Sequence, residues 1–397
     1  MRILQLTNKP PAPPTDGSSI AMFNMAMGFI KNGITLNLLT INTKKHFKSD
    51  SEVEADFKMK SNYRSVYRDT DVSIAGALIN LFSNRSYFVS RFYFKEFEDA
   101  LVSLLREKEF DLVQLESIFM GDYIPAIRKH SKAKIVVRTH NIEHLIWSRM
   151  INNEKNPAKK SYLSLQNARL KLFEYNILKA ADAIVPITAV DQKYFESWGI
   201  HKPFFASPTG LLLDKYKVDH SAEMTQSVFH FGSMDWMPNE EAVLWFAQKV
   251  WPLVHAKIPA ARFYIVGRGI SAKVESLTIP GVVVVGKTEL PEKVYHKYSI
   301  MVVPLLSGSG MRIKLIEGMA YGKPIVSTSI GAEGIAVTHD KNCVLADSET
   351  DFANAVIELL ENEAKRIGLQ KEARDFAEKN YDNTARVKEL LDFYHSL

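Results

Sequence analysis

Pro304-Leu305-Leu306-Ser307-Gly308-Ser309-Gly310-Met311-Arg312-Ile313-Lys314-Leu315-Ile316-Glu317 is the most informative segment of this 397-residue chain. It leads from an apolar strand, Ile300 to Pro304, through a glycine-rich turn into a helix predicted over Met311 to Tyr321. Strand, glycine turn and helix in that order make one step of a doubly wound α/β sheet. Such a turn is also suited to an anion. Glycines let backbone amides approach a ligand, the helix start presents unpaired N–H groups, and the helix dipole favours negative charge there. A diphosphate fits these conditions. Arg312 and Lys314 add two cations to the first helical turn, where negative charge would ordinarily be stabilising, and a bound anion would offset that cost. Glu317, three residues after Lys314, reads by itself as an i,i+3 salt-bridge partner. Beside a phosphate-binding turn it has a second reading, a carboxylate that accepts hydrogen bonds from the vicinal hydroxyls of a ribose.

The same alternation continues on both sides. Val228 to Phe231, a helix from about Asn239 to Val254, Arg262 to Val266 and Gly281 to Val285 come before it, and the strand Pro324 to Thr328 comes after. Near the N-terminus, the strand Ile3 to Thr7, the loop Asn8 to Ser19, a helix stopped by Gly33, and the strand Leu36 to Thr40 form a strand-helix-strand unit. Further strands are expected at Leu112 to Leu115, Ile135 to Arg138 and Ala183 to Ile187. One core rarely serves more than roughly 250 to 300 residues, so two domains are expected. The fold class is α/β, with two Rossmann-like doubly wound domains at residues 1–205 and 206–375. The linker is His201 to Tyr216, with Pro203, Pro208 and Gly210. The tail is helical from Asp351, and residues 376–397 are expected to pack back on the first domain through Val387, Leu390, Leu391 and Tyr394.

Composition narrows the class. Hydrophobic residues at 46% and charged residues at 24% describe an ordinary globular chain rather than a disordered or fibrous one. With Cys343 as the single cysteine, no intrachain disulfide and no paired-thiol metal site can form, which suits a reducing, cytoplasmic setting. The apolar run at Met1 to Thr7 is too short for a signal peptide, and none approaches the roughly 20 residues of a membrane span. Net charge is +5, but residues 1 to 190 hold 27 Lys and Arg against 19 Asp and Glu. That excess suits an anionic partner such as membrane lipid, or a solvated face without one. No nucleic-acid motif accompanies it, and no nucleic acid is expected. Arg85, Tyr87, Phe88, Arg91, Phe92, Tyr93, Phe94, Lys95 and Phe97 follow the apolar Ile74 to Phe82. This basic and aromatic run suits either a membrane interface or a core-packed helix pair. Asp69-Thr70-Asp71 follows no apolar strand and reads as an exposed loop or helix cap, and no cluster has metal-ligand spacing, so no metal is expected.

Taken as a set, Phe231-Gly232-Ser233-Met234, Val266-Gly267, Ser307 to Glu317 with Met319-Ala320-Tyr321-Gly322-Lys323-Pro324, and Gly331-Ala332-Glu333-Gly334 resemble the retaining family-4 glycosyltransferases of the GT-B fold. Arg138-Thr139-His140-Asn141-Ile142-Glu143 and Asp16-Gly17 extend the resemblance into the first half. It implies a cleft between the two domains, a nucleoside diphosphate sugar as co-substrate bound mainly by the second, and a saccharide or lipid-linked acceptor bound by the first. It further implies transfer with retention, without metal or other cofactor, in cell-surface polysaccharide or glycolipid assembly. The setting would be cytoplasmic, with peripheral contact on the anionic inner face of the membrane. By the same resemblance Gly17, Gly232, Ser309, Gly310, Met311, Arg312, Lys314 and Glu317 bind the donor. His140 and Glu143 face the acceptor or cleft, and His140, Lys314 and Glu317 carry catalysis. The chain departs from the family pattern in two places. Ser309 stands where the first glutamate of the paired-glutamate signature belongs, and Gly232 is not followed by the usual arginine and lysine. Arg312 and Lys314 are the candidates to supply the missing charge. A nucleotide-sugar epimerase on the same scaffold and a non-catalytic sugar-binding protein are the alternatives. A dehydrogenase is disfavoured because no GxGxxG turn follows the first strand.

Overall fold

Among the described residues, twelve strands, all in parallel pairings, carry the architecture. In chain order they are β1 Arg2–Thr7, β2 Thr35–Thr43, β3 Arg64–Arg68, β4 Leu112–Glu116, β5 Lys134–Thr139, β6 Ala183–Pro186, β7 Met224–Phe231, β8 Arg262–Val266, β9 Val282–Gly286, β10 Tyr298–Val303, β11 Ile325–Ser327 and β12 Val344–Leu345. They assemble as two six-stranded sheets, ordered β3-β2-β1-β4-β5-β6 and β12-β11-β10-β7-β8-β9. The computed structural model describes residues 1–288, 290–308 and 310–397, so the donor-sugar expectation at Ser309 lies outside the described residues. The chain divides into two units, Met1–Gly210 with Asn383–Leu397, and Leu211–Asp382.

In the first unit the strands other than the exposed edge strand β3 are largely buried on both faces and predominantly apolar, as parallel strands covered by helices are. Alternation sends Leu4, Leu6, Val113, Leu115, Ile135 and Val137 to one face, where they pack with Phe97, Tyr123 and Leu178. Ile3, Leu36, Leu38, Leu112, Val136 and Val185 go to the other, against Phe29 of the helix Gly17–Lys31 and against the last helix, Asn383–His395. That helix contributes Val387, Leu390, Leu391 and Tyr394, each worth about 1.5–3 kcal/mol when fully buried. The Tyr394 hydroxyl also donates to Gln114 Oε1 at 2.6 Å in the sheet.

The second unit repeats the plan around Val228, Phe263, Ile265, Ile300, Val302 and Val326. The helical run expected over Asn239 to Val254 extends from Met237 to Lys257, with a widened turn at Phe246–Val250 just before Pro252, which lacks an N–H to donate. Two strands were not apparent from the sequence. β3 is an exposed edge strand, Arg64 to Arg68, and β12 has only two residues.

Candidate functional site

In the second sheet the chain runs one way from β7 through β8 to β9, then the other way from β10 through β11 to β12. The strand order therefore reverses between the neighbours β7 and β10, and ligands of open α/β sheets bind beyond the carboxyl ends of strands at such a switch point. Gly232 follows β7, and the turn Pro304 to Arg312 follows β10. Gly308 and Gly310 both have positive φ, +118° and +77°, which a glycine accepts without strain. The turn opens the helix Ile313–Ala320, whose N-cap is Arg312 and whose first turn contains no acidic residue. Arg312 is buried, donates to the Gly310 carbonyl, and lies over Trp236 at 5.5 Å from the ring centroid. Ser307 Oγ donates to Glu241 Oε2 at 2.8 Å, and Met311 is half-buried.

Lys314 is the second residue of that helix. Its ammonium donates to Asn239 Oδ1 at 2.6 Å and lies 3.3 Å from His230 Nε2. Because His230 Nδ1 is 2.9 Å from the Val302 carbonyl, that nitrogen carries the proton and Nε2 offers its lone pair to the lysine. Burial, reinforced by the neighbouring Arg312 cation, pulls Lys314 down to about 7, with Glu317 opposing. The backbone is closely fitted here. A Cβ on Gly232 would lie 2.6 Å from Lys314 Nζ, and one on Gly267, at φ +150°, would lie 1.7 Å from the Gly232 carbonyl oxygen.

Glu317 occupies the next turn of the helix. Burial pushes its carboxyl up to about 7, against a hydrogen bond from Tyr216 and the charge of Lys314. Tyr216 Oη donates to Glu317 Oε1 at 3.0 Å while the Lys314 ammonium turns to Asn239, and among the described residues no ion pair joins Glu317 to Lys314, so the i,i+3 bridge does not form. Tyr321 lies 5.0 Å from Tyr216 between ring centroids and stacks on Tyr295 at 4.5 Å. The Tyr295 hydroxyl is buried with no hydrogen-bond partner among the described residues. The sequence reading missed this phenol cluster, since Tyr216 lies 101 residues from Glu317 and carries no local signal.

In the first unit the switch point falls between β1 and β4. Here Glu116, fully buried at the end of β4, is the centre of a network. Its Oε2 accepts from Arg138 Nη1 at 3.0 Å and from His140 Nε2 at 2.7 Å, and its Oε1 from Gln5 Nε2 at 2.7 Å and Gln114 Nε2 at 2.6 Å. Burial alone would raise this carboxyl, but Arg138, His140 and Gln5 together hold it down to about 2. Burial also lowers the His140 imidazole; the Glu116 hydrogen bond opposes this and the Arg138 cation adds to it. A neutral ring that donates through Nε2 keeps its lone pair on Nδ1, and that atom is buried without a hydrogen-bond partner among the described residues. A carboxylate ending a strand that is apolar but for Gln114 is the signal by which Glu116 could have been found.

Gly17 is the first residue of its helix. Asp16, the N-cap, accepts from Ser19 N at 2.9 Å and takes the Lys9 ammonium at 2.7 Å on both oxygens, so a carboxylate already occupies this helix start. Burial and the neighbouring Glu174 push Glu143 up to about 7. Glu174 in turn accepts from the Glu143 backbone at 3.0 Å and lies 2.6 Å from His144 Nδ1. Asp69 and Asp71 are exposed and share Lys44 at 2.9 and 3.1 Å. Among the described residues no group of three His, Cys, Asp or Glu side chains is placed to hold a metal. In the basic and aromatic run, Phe88, Phe94 and Phe97 belong to the core, and Phe92 and Tyr93 pack against it.

Two parallel six-stranded sheets of this order with a helical C-terminal region make this a GT-B fold. Sucrose-phosphate synthase from Thermosynechococcus elongatus is similar over 100% of this chain and 99% of its own, with a TM-score of 0.72 at 14% identity. HepE from Anabaena, solved in complex with UDP, is similar over 100% of both chains, with a TM-score of 0.65 at 15% identity. Residues 225–362, which include Gly232, Lys314 and Glu317, match the family described as glycosyl transferases group 1. An uncharacterized 44.6 kDa protein in the cps region of Klebsiella pneumoniae is 28% identical over 303 residues, 71% of this chain and 74% of that protein. The matched domain and the fold together support a glycosyltransferase.

Proposed function

We propose that this chain is a retaining glycosyltransferase of the family-4 kind, which moves a sugar from a nucleoside diphosphate sugar to a saccharide or lipid-linked acceptor. One observation carries the reading: at the switch point of the matched domain, a helix start, two cations and a carboxylate with near-neutral titration converge without an ion pair between Lys314 and Glu317. HepE, of the same fold, was solved with UDP, which makes uridine diphosphate the first nucleotide to test.

On this reading the diphosphate lies over the glycine turn, against the amides from Gly310 and Met311 and beside Lys314. Arg312 braces the turn and adds to its positive field. As the bond to the sugar breaks, negative charge grows on the leaving phosphate, and these groups stabilise it more than they stabilise the ground state. They supply the charge compensation, so transfer is proposed to need no metal. Glu317 accepts from the ribose hydroxyls, with Tyr216 orienting it. In the first unit His140 presents Nδ1 to a sugar hydroxyl, aligned by Glu116, with Glu143 beside it. Retention would follow if a leaving phosphate oxygen takes the acceptor's proton on the face the leaving group vacates. Cell-surface polysaccharide or glycolipid assembly, in the cytoplasm and at the inner face of the membrane, belongs to the same proposal.

The test is a thermal-shift screen of UDP, GDP, ADP, CMP and their sugar conjugates, followed by turnover of Lys314→Ala and Glu317→Ala with the nucleotide found. Each variant should keep its melting temperature without ligand and lose about 10- to 100-fold in turnover, the loss expected for a hydrogen bond to a charged group. Glu317→Ala should act chiefly through nucleotide affinity. Full activity in both variants would overturn the assignment.

A further inference from the structure

Thirteen consecutive residues, Val72 to Asn84, carry no charge. The core does not absorb them: Val72 is 69% exposed, Ile74 81%, Leu78 58%, Ile79 71% and Phe82 97%. Such a contiguous apolar surface is uncommon on a monomer and marks a place of contact. The segment is nonetheless anchored. Gln166 Nε2 donates to Asn80 Oδ1 at 3.0 Å, and Arg169 donates to the carbonyls of Asn80 and Leu81 at 3.1 and 3.2 Å. The Ser73 N–H donates to the Tyr87 hydroxyl at 3.1 Å. The helix Ile74–Asn80 is thus tied by its polar groups to the long helix Pro157–Ala180 and leaves its apolar side chains in solvent.

The supporting helix supplies charge of one sign. It exposes Lys160 and Lys171, and also Lys159, whose ammonium pairs with Glu154 at 2.6 Å just before the helix, while its one acidic residue, Glu174, is fully buried. It also leaves Leu165 and Leu172 exposed, at 43% and 60%. An uncharged apolar centre flanked by lysines is the pattern of a surface that inserts side chains among acyl chains while cations meet anionic headgroups.

We propose that the surface formed by Val72 to Phe82 and the exposed lysines of the helix Pro157–Ala180 docks on an anionic lipid bilayer. It deepens the proposed function by naming the surface through which a lipid-linked acceptor would be approached, and it stands on different residues from the donor site. The charge argument selects lipid over a second copy of the chain, because two copies would bring lysines against lysines.

The full chain is sedimented with vesicles of phosphatidylcholine alone and of phosphatidylcholine mixed with phosphatidylglycerol, at low and high salt. The expected result is binding to the mixed vesicles that is about tenfold or more stronger than to neutral ones and weakens with salt. Ile79→Asp combined with Phe82→Asp, both at exposed positions, should lower that binding by about tenfold or more while the circular dichroism and the nucleotide-induced thermal shift stay unchanged. Absence of binding by the natural chain, or equal binding by the double variant, would overturn the proposal. So would a concentration-dependent dimer that the same substitutions abolish, seen without vesicle binding. A chain that binds vesicles but shows no thermal shift with any nucleotide would count against the donor site and leave the docking surface standing.

Discussion

Binding of a nucleotide sugar should exchange protons with the protein in opposite directions on the two sides of pH 7. Lys314 is pulled down to about 7 and Glu317 is pushed up to about 7, in both cases chiefly by burial. A diphosphate beside Lys314 favours the ammonium, and ribose hydroxyls donating to Glu317 favour the carboxylate. If the ligand moves each group by about 2 units, roughly 2.7 kcal/mol apiece, both are charged in the complex across this range. At pH 8 the free lysine is about 9% protonated and the bound one about 90%, while the glutamate is already mostly ionised, so net uptake is roughly 0.7 proton. At pH 6 the roles reverse: the free glutamate is mostly protonated and must ionise, and roughly 0.7 proton is released. At pH 7 the two cancel. Calorimetric titration with UDP-glucose at pH 6, 7 and 8, each in two buffers of different ionisation heat, measures these numbers directly. The sugar nucleotide is preferred to free UDP because both its phosphates are esterified and do not titrate here. Binding with no proton exchange at either extreme, or with the same sign at both, would refute the claim that these two groups meet the ligand.

Glu116→Gln should destabilise the first unit by about 3–5 kcal/mol in urea unfolding at pH 7, because it leaves Arg138 charged and fully buried. The pH dependence has a definite sign. Glu116 is held down to about 2, so its contribution is present above the ordinary carboxylate range and is lost as pH falls through about 2; the gap between natural chain and variant should narrow toward acid. Gly267→Ala places a methyl 1.7 Å from the Gly232 carbonyl oxygen and forces that backbone away from Lys314. Calorimetry should show nucleotide affinity falling by about tenfold or more, and unchanged affinity would mean that the close approach is not needed.

The two sheets were legible because parallel strands covered on both faces are predominantly apolar, and Ile3 to Thr7 and Val228 to Phe231 read so although Gln5 and His230 interrupt them. β3 did not, because Arg64 to Arg68 lies at an exposed edge where no core selects its side chains. The glycine turn with Arg312, Lys314 and Glu317 was legible because its chemistry is contained in fourteen adjacent residues. Contacts across the fold were not. Tyr216 reaches Glu317, His230 and Asn239 reach Lys314, and Gln5 meets Glu116 from another strand, and none of these pairs is related by a local spacing. The substitution of Ser309 for a glutamate was visible, whereas the tyrosines gathered about Glu317 were not.

The two switch points share a topology but differ in how their buried charges are balanced. Around Glu116 four hydrogen bonds fill both carboxylate oxygens, the charge of Arg138 is balanced, and the carboxyl is held down to about 2. Such a network is costly to break, and its Glu116 carboxylate has little left for a ligand to add; its physical role is to hold His140 Nδ1 in place, while Arg138 Nε and Gln5 Oε1 are also buried without a hydrogen-bond partner among the described residues. Around Lys314 and Glu317 the opposite holds. Both groups are displaced to about 7, the Tyr295 hydroxyl is buried without a hydrogen-bond partner among the described residues, and two cations occupy a helix start that favours an anion. Groups left in that state gain most when a ligand of opposite charge arrives. The second unit is therefore where nucleotide binding energy should be realised, and the first is where a hydroxyl should be positioned. If calorimetry of the natural chain and Glu116→Gln gave equal loss of nucleotide affinity to that seen for Lys314→Ala, this division of labour would be wrong.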